Sequence, residues 1–101
     1  MTRIIAGEAR GRTIKVPAEG TRPTADRARE GLFSSLTARW GFAGSSVLDL
    51  FAGSGALGLE AASRGAEEAV LVESSADAVK IIRHNMGVVK HPRVSVREMK
   101  A

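Results

Sequence analysis

Apolar and polar positions change period twice along the chain. Residues 3–6 and 12–16 alternate as short β-strands and are separated by the turn-like segment GEARG, which predicts a hairpin. Alternation puts Arg12, Ile14 and Val16 on one face and Thr13 and Lys15 on the other. Residues 17–23 (PAEGTRP) carry two prolines and a glycine, the composition of a loop. From Thr24 the spacing becomes helical. Ala28, Leu32, Leu36 and Trp40 recur every fourth residue, Phe33 widens the stripe, Thr24 is placed to cap the helix, and Asp26 sits in its first turn. After a break at 41–46, residues 47–51 read as a strand and 56–64 as an apolar helix stopped by Gly65. Residues 69–73 are a second strand in this part. Ser75 caps a helix over 76–86 that Gly87 ends, and residues 93–98 alternate as the last strand. Strand, helix, strand, helix, strand at these lengths is βαβαβ, the first half of a doubly wound parallel sheet.

The glycines after the first of these parallel strands carry the chemistry. In VLDLFAGSGALGLEAA, Gly53, Ser54 and Gly55 turn the chain from strand into helix. Glycine there permits backbone conformations closed to other residues and lets a ligand approach the main chain, while the helix N-terminus offers N–H groups to it. Glu73 follows twenty residues after Gly53, at the carboxyl end of the next strand, where an acid accepts hydrogen bonds from ribose hydroxyls. The run from Gly53 to Gly58 also fits the dinucleotide fingerprint G-x-G-x-x-G. Asp49 separates the two readings. Inside the strand, four residues before Gly53, it opposes a pyrophosphate and suits a ligand with ammonium and sulfonium charges, as on S-adenosylmethionine.

Charge adds a second theme. Residues 1–43 hold eight Lys and Arg against four acids, and residues 44–101 hold seven of each sign, so the net charge of +4 lies wholly in the first segment. A basic segment of this kind is the footprint of a polyanion or a solvated face. The chain is divided accordingly, with residues 1–43 as hairpin, loop and helix and 44–101 as the first part of a cofactor domain. Without cysteine there is neither a disulfide nor a thiolate metal site. No apolar run approaches the ~20 residues of a membrane span and no signal peptide opens the chain, so a cytoplasmic protein without a membrane partner is expected. His84 and His91 read as surface histidines, no metal site is expected, and Ser54 has no visible base to make it a nucleophile. Met86 and Met99 read as fillers, Trp40 as a packing residue, and Asn85 as a helix C-terminal residue.

The pattern D-x-F-A-G-S-G looks like the cofactor motif of class I methyltransferases. With GTRPTADRAREGLF over residues 20–33, RIIAGEARGRTIKVP before it and VLVE after it, the chain closely resembles bacterial guanine-N2 methyltransferases of small-subunit (16S) ribosomal RNA. The resemblance covers nearly all of the chain and weakens after about residue 85. It implies the α/β Rossmann-like fold of class I methyltransferases preceded by a hairpin and helix, S-adenosylmethionine as cofactor, and the small ribosomal subunit or its RNA as partner. It further implies cofactor contacts by Arg22, Pro23, Thr24, Asp49, Phe51, Ala52, Gly53, Ser54, Gly55, Glu73 and Ser74. Arg3, Arg10, Arg12 and Lys15 would grip RNA phosphates. Arg27 and Arg29 either join that grip or pair with Asp26 and Glu30. The family's Asn/Asp-Pro-Pro-Tyr motif has no counterpart here, because Pro17, Pro23 and Pro92 are not adjacent and there is no tyrosine. The chain therefore reads as the N-terminal half of a longer, monomeric enzyme, without a catalytic motif, inactive alone and prone to self-association through an open sheet edge. A DNA or other amino-methyltransferase, a nicotinamide-binding domain and a plain RNA-binding module are the alternative readings.

Overall fold

The computed structural model describes residues 2–16, 23–39, 41–50 and 52–100, with residues 23–28 described by their backbone. In chain order the elements are β1 (Thr2–Arg3), β2 (Thr13–Ile14), α1 (Pro23–Arg39), β3 (Ser46–Asp49), α2 (Ala56–Ser63), β4 (Glu68–Glu73), α3 (Ala76–Val89) and β5 (Val94–Glu98). β1 and β2 pair antiparallel, with Thr2 opposite Ile14. β3, β4 and β5 form a parallel sheet in that order, with Asp49 opposite Leu71 and Glu73 opposite Glu98. This is the predicted βαβαβ unit, with β5 at one edge of the described sheet.

The hairpin strands are shorter than their alternation predicts, for a physical reason. Beyond the paired residues, the Ile4 N–H still donates to the Arg12 carbonyl and the Gly11 N–H to the Ile4 carbonyl, but several flanking backbone groups bond to side chains of the helices. Glu60 accepts from the N–H groups of Ile5 and Ala6 at 2.8 and 3.1 Å, and Asn85 takes both main-chain groups of Lys15. Side chains thus take up main-chain groups that a longer ladder would have paired. Ile14 is buried while Arg12 is exposed, so the even positions do not share one environment.

α1 starts at Pro23, one residue before the expected cap. Proline suits the first turn because the N–H it lacks has no helical acceptor there. The capping role given to Thr24 falls on a side chain outside the described residues, as does Trp40. Leu32, assigned to the buried stripe, is 51% exposed; Phe33 is the buried member and Leu36 is half-buried. Phe33 stacks against Phe42 with centroids 5.5 Å apart and joins a small core with Ala61 and Ala66. α2 ends as predicted at Gly65. The N–H of Gly65 donates to Ala62 and that of Ala66 to Ala61, the paired bonds that let a left-handed glycine close a helix. α3 runs through Gly87 to Val89, three residues beyond the expected end. Lys90, at φ 58°, ends it in the left-handed conformation with its N–H on the Met86 carbonyl.

The main core joins Ile4, Ala9 and Ile14 of the hairpin segment to Leu59, Leu71 and Ile82 of the βαβαβ unit. Gly58 makes the tightest packing in it possible, since a Cβ there would lie 2.9 Å from a methyl of Leu71. β3 is the other sheet edge, and it carries exposed apolar residues. Leu48 is 62% exposed, and Leu50, just after the strand, 45%. Among the described residues no helix is long and apolar enough to cross a membrane.

Candidate functional site

The glycine turn sits at the carboxyl ends of β3 and β4. Gly53 and Gly55 adopt φ 57° and 84°, so a side chain at either would strain the backbone. A Cβ built on Gly53 meets nothing within 4 Å, which leaves the main chain open to a ligand. Gly55 begins α2 with no side-chain cap, so the first-turn N–H groups of that helix face the same region.

Glu73 closes the turn. Its Oε1 accepts from the Gly53 N–H at 2.9 Å and its Oε2 from the Ser75 N–H at 2.8 Å. Those bonds, Ser75 first, then Gly53, with a smaller one from Ser74, hold the carboxyl below its ordinary pKa against a modest desolvation cost. Glu73 is therefore an ionised acceptor at neutral pH. The Gly53 and Ser75 bonds take one direction on each oxygen and leave further acceptor capacity, which fits a vicinal diol such as a ribose. The residues present thus fit a nucleoside ligand, and the fit rests on this half-buried carboxylate.

The other predicted cofactor residues divide by position. Ala52, Ser54 and Gly55 form the turn itself, with the Ala52 N–H on the Val72 carbonyl at 3.0 Å and the Ser54 carbonyl accepting from Asn85 at 2.8 Å. Ser74 is exposed beside Glu73. Asp49 ends β3, half-buried. Its register partner Leu71 lies two residues before Glu73, so the two acids project from the same sheet face. Asp49 also lines a groove of about 340 Å³ between α1, β3 and α2, with Leu32, Phe33, Leu57 and Gly58 on its walls. Arg22 and Phe51 lie outside the described residues. Pro23 and Thr24 are in the first turn of α1, but their side chains are not described.

The predicted phosphate grip is only partly brought together. Arg3, Arg10, Arg12 and Lys15 are exposed on or beside the hairpin. Arg12 nevertheless donates to the carbonyls of Val88 and Val89 at 3.1 and 3.2 Å, a cation on the carboxyl end of α3. Of the two readings left open for Arg29, its burial goes against the phosphate grip. The residue is 7% exposed and donates to the Arg3 carbonyl at 2.9 Å, so it braces β1 from beneath and does not present itself to a polyanion. The side chain of Arg27 lies outside the described residues. His91 is also more than a surface residue. Its Nδ1 accepts from the Arg93 N–H at 3.0 Å, which leaves Nε2 to donate to the Ala66 carbonyl at 2.9 Å.

Three residues that sequence reasoning missed or set aside hold the hairpin in place. Glu60, 0% exposed, adds to its two main-chain bonds an ion pair with Arg64 at 2.9 Å. Arg64 in turn lies over the Phe33 ring, 5.2 Å from its centroid. Ser63 accepts from the Ala9 N–H at 2.9 Å and donates to the Ala6 carbonyl at 2.6 Å. The hairpin turn presses so closely on α2 that a Cβ at Gly7 would fall 1.8 Å from the Ser63 carbonyl oxygen. Asn85 is fully buried in the middle of α3, not at its end. The only advance signal for Glu60 is an acid in an otherwise apolar helix, GALGLEAAS.

Comparison with known proteins places this geometry. Residues 2–101 match the family described as Conserved hypothetical protein 95. A Bacillus subtilis protein named as a candidate rRNA methyltransferase is 40% identical over 96 residues, covering 91% of this chain and 51% of its own length. Ribosomal RNA small subunit methyltransferase D of Escherichia coli K12 is 46% identical over 89 residues, covering 87% of this chain and 44% of its own. A solved Escherichia coli structure, described as a candidate methyltransferase, superposes with a TM-score of 0.84 at 40% identity, over 99% of this chain and 53% of that one. The chain spans about half the length of the curated relatives it matches. Its fold is the α/β fold of class I methyltransferases, preceded by a separate two-stranded hairpin.

Proposed function

The chain belongs to the Conserved hypothetical protein 95 family, and we propose that it forms the S-adenosylmethionine-binding portion of an enzyme that methylates a guanine N2 amine in small-subunit ribosomal RNA. The observation that carries this reading is the ionised Glu73 bonded to Gly53 at an open glycine turn, with Asp49 on the same sheet face. When bound, S-adenosylmethionine supplies an electrophilic methyl group on sulfur. Glu73 would hold the ribose hydroxyls, the open main chain at Gly53 would take the methionine end, and Asp49 would favour its positive charge. Arg22, Pro23, Thr24, Phe51, Ala52, Ser54, Gly55 and Ser74 are proposed to complete that contact. In this reading residues 1–43 serve RNA contact and cofactor closure, and 44–101 serve the cofactor.

The acceptor half of the reaction lies outside this chain in the same reading. Methyl transfer needs the amine in line with the sulfur–methyl bond, and misplacement by ~1 Å costs about a hundredfold. The 101 residues hold no tyrosine and no adjacent prolines to orient a guanine amine, so the chain alone is expected to be inactive. A monomeric whole enzyme working in the cytoplasm beside the ribosome, without a metal, is part of the same proposal. Of the basic residues, Arg3, Arg10 and Lys15 are the better phosphate contacts, since Arg12 caps α3 and Arg29 is buried.

Two titrations test the proposal. Calorimetry with S-adenosylhomocysteine and with NAD is expected to show binding of the first and not the second; the reverse result transfers the turn to a dinucleotide. Arg10→Glu with Lys15→Glu is expected to weaken binding of purified small-subunit rRNA. Each lost phosphate contact lowers the slope of log K against log salt by roughly 0.7–0.9. An unchanged slope removes the hairpin from the RNA interface.

A further inference from the structure

Asn85 is 0% exposed, and its side-chain amide is divided between two parts of the molecule. Toward the hairpin, its Oδ1 accepts from the Lys15 N–H at 2.7 Å and its Nδ2 donates to the Lys15 carbonyl at 2.7 Å. The amide thus pairs with one residue of the hairpin segment as a neighbouring strand would. Toward the cofactor turn, the second Nδ2 hydrogen goes to the Ser54 carbonyl at 2.8 Å, between Gly53 and Gly55. Three other anchors of the hairpin bond away from the turn. Glu60 and Ser63 hold residues 5–9 from the far half of α2, and Arg12 holds the carboxyl end of α3. One planar group therefore ties Lys15 to Ser54, residues 39 apart in sequence.

A carboxamide has two hydrogens in one plane, so its three bonds share one orientation. A shift of the Ser54 carbonyl turns the amide and weakens both bonds to Lys15. Fixing that carbonyl fixes them. Because Asn85 itself is fully buried, solvent does not readily replace a bond that its amide loses.

We propose that Asn85 is a positioning residue that couples the glycine turn to the hairpin, so that a nucleoside ligand seated on the turn orders the hairpin at Lys15. Coupling of this kind is reciprocal, and a polyanion held on the hairpin tightens the turn for its ligand by the same factor. The inference rests on the reading of the turn as an S-adenosylmethionine site.

The test is amide hydrogen exchange on the 101-residue chain with and without saturating S-adenosylhomocysteine, after calorimetry has measured binding. Ala9 is the internal reference. Its N–H bonds to Ser63, not to Asn85, and it reports the general stabilisation that any ligand brings. The Lys15 N–H is expected to slow at least about fivefold more than that of Ala9, the lower end of ordinary coupling between sites. In Asn85→Ala the two amides should respond alike. The wild-type ratio decides the matter even if that variant does not fold. Binding with equal slowing of the two amides overturns the coupling and leaves the cofactor reading intact. No binding of S-adenosylhomocysteine overturns the cofactor reading and the coupling with it.

Discussion

Glu60 and Glu73 do similar things in two regions of the molecule. Each is a carboxylate that accepts two main-chain N–H groups, at 2.8–3.1 Å for Glu60 and 2.8–2.9 Å for Glu73. At the hairpin dock Glu60 is fully buried, and Arg64 takes a third bond at 2.9 Å. At the glycine turn Glu73 is half-buried at a strand end, and its oxygens keep acceptor capacity toward the open Gly53. The same bonding pattern is closed over at the dock, where it serves folding, and left open at the turn, where we propose that it serves recognition. Burial, not residue type, separates the two.

The largest effect that can break this contrast is at Glu60. Glu60→Ala would leave the Arg64 guanidinium and two main-chain N–H groups without their acceptor in the core. Breaking a buried ion pair by removing one partner costs about 3–5 kcal/mol, a large share of the stability of a domain this size. Urea denaturation should show that loss; a change below about 1 kcal/mol would mean the dock is not what holds the hairpin. Glu73→Ala should cost less stability than Glu60→Ala, since its bonds are not buried, and should weaken S-adenosylhomocysteine binding. Charge-assisted hydrogen bonds to the ribose are worth about 1.5–3 kcal/mol. If calorimetry finds the reverse, lost stability with intact affinity, Glu73 belongs with Glu60 as a structural residue.

Acid sharpens the comparison. Because the folded pKa of Glu73 lies below its unfolded value, its bonds contribute fully at neutral pH. The contribution is lost as pH falls below about 4.5 and through the folded pKa. Glu73→Gln should flatten that part of the stability–pH curve, measured by thermal melts from pH 7 to 3. The smallest effect marks the zero of the scale. Leu48→Lys, at a residue 62% exposed on β3, should change stability by no more than ~0.5 kcal/mol and lower the tendency to associate, seen by sedimentation at increasing concentration. A loss above about 2 kcal/mol would show that Leu48 is packed in solution.

The parts of the fold legible in the sequence are those written in local patterns. Alternation and four-residue spacing locate β3, α2, β4, α3 and β5 to within a few residues. Positive-φ glycines and an acid twenty residues later locate the turn. The dock was not legible because its partners are 54 and 55 residues apart for Glu60 and 70 for Asn85, too far to leave a periodic mark. Arg29 stays undecided in the sequence for a related reason. An arginine near Asp26 and Glu30 reads equally as a surface contact or an ion pair until the carbonyl it braces, 26 residues away, is known. Asn85 resembled a helix end because Gly87 follows it, yet Gly87 is accommodated within the helix and Lys90 makes the stop.

The way the hairpin is held also fixes an order of events during synthesis. Its residues leave the ribosome before the groups that receive them are made: Glu60 and Ser63 some 54 residues on, Asn85 some 70 on. At translation rates of roughly 5–20 residues per second, the basic N-terminal segment would wait several seconds beside the nascent-chain exit before its binding surface exists. The hairpin is thus put in place only after its partners in α2 and α3 have been made, and a pause in translation before Asn85 would prolong that interval.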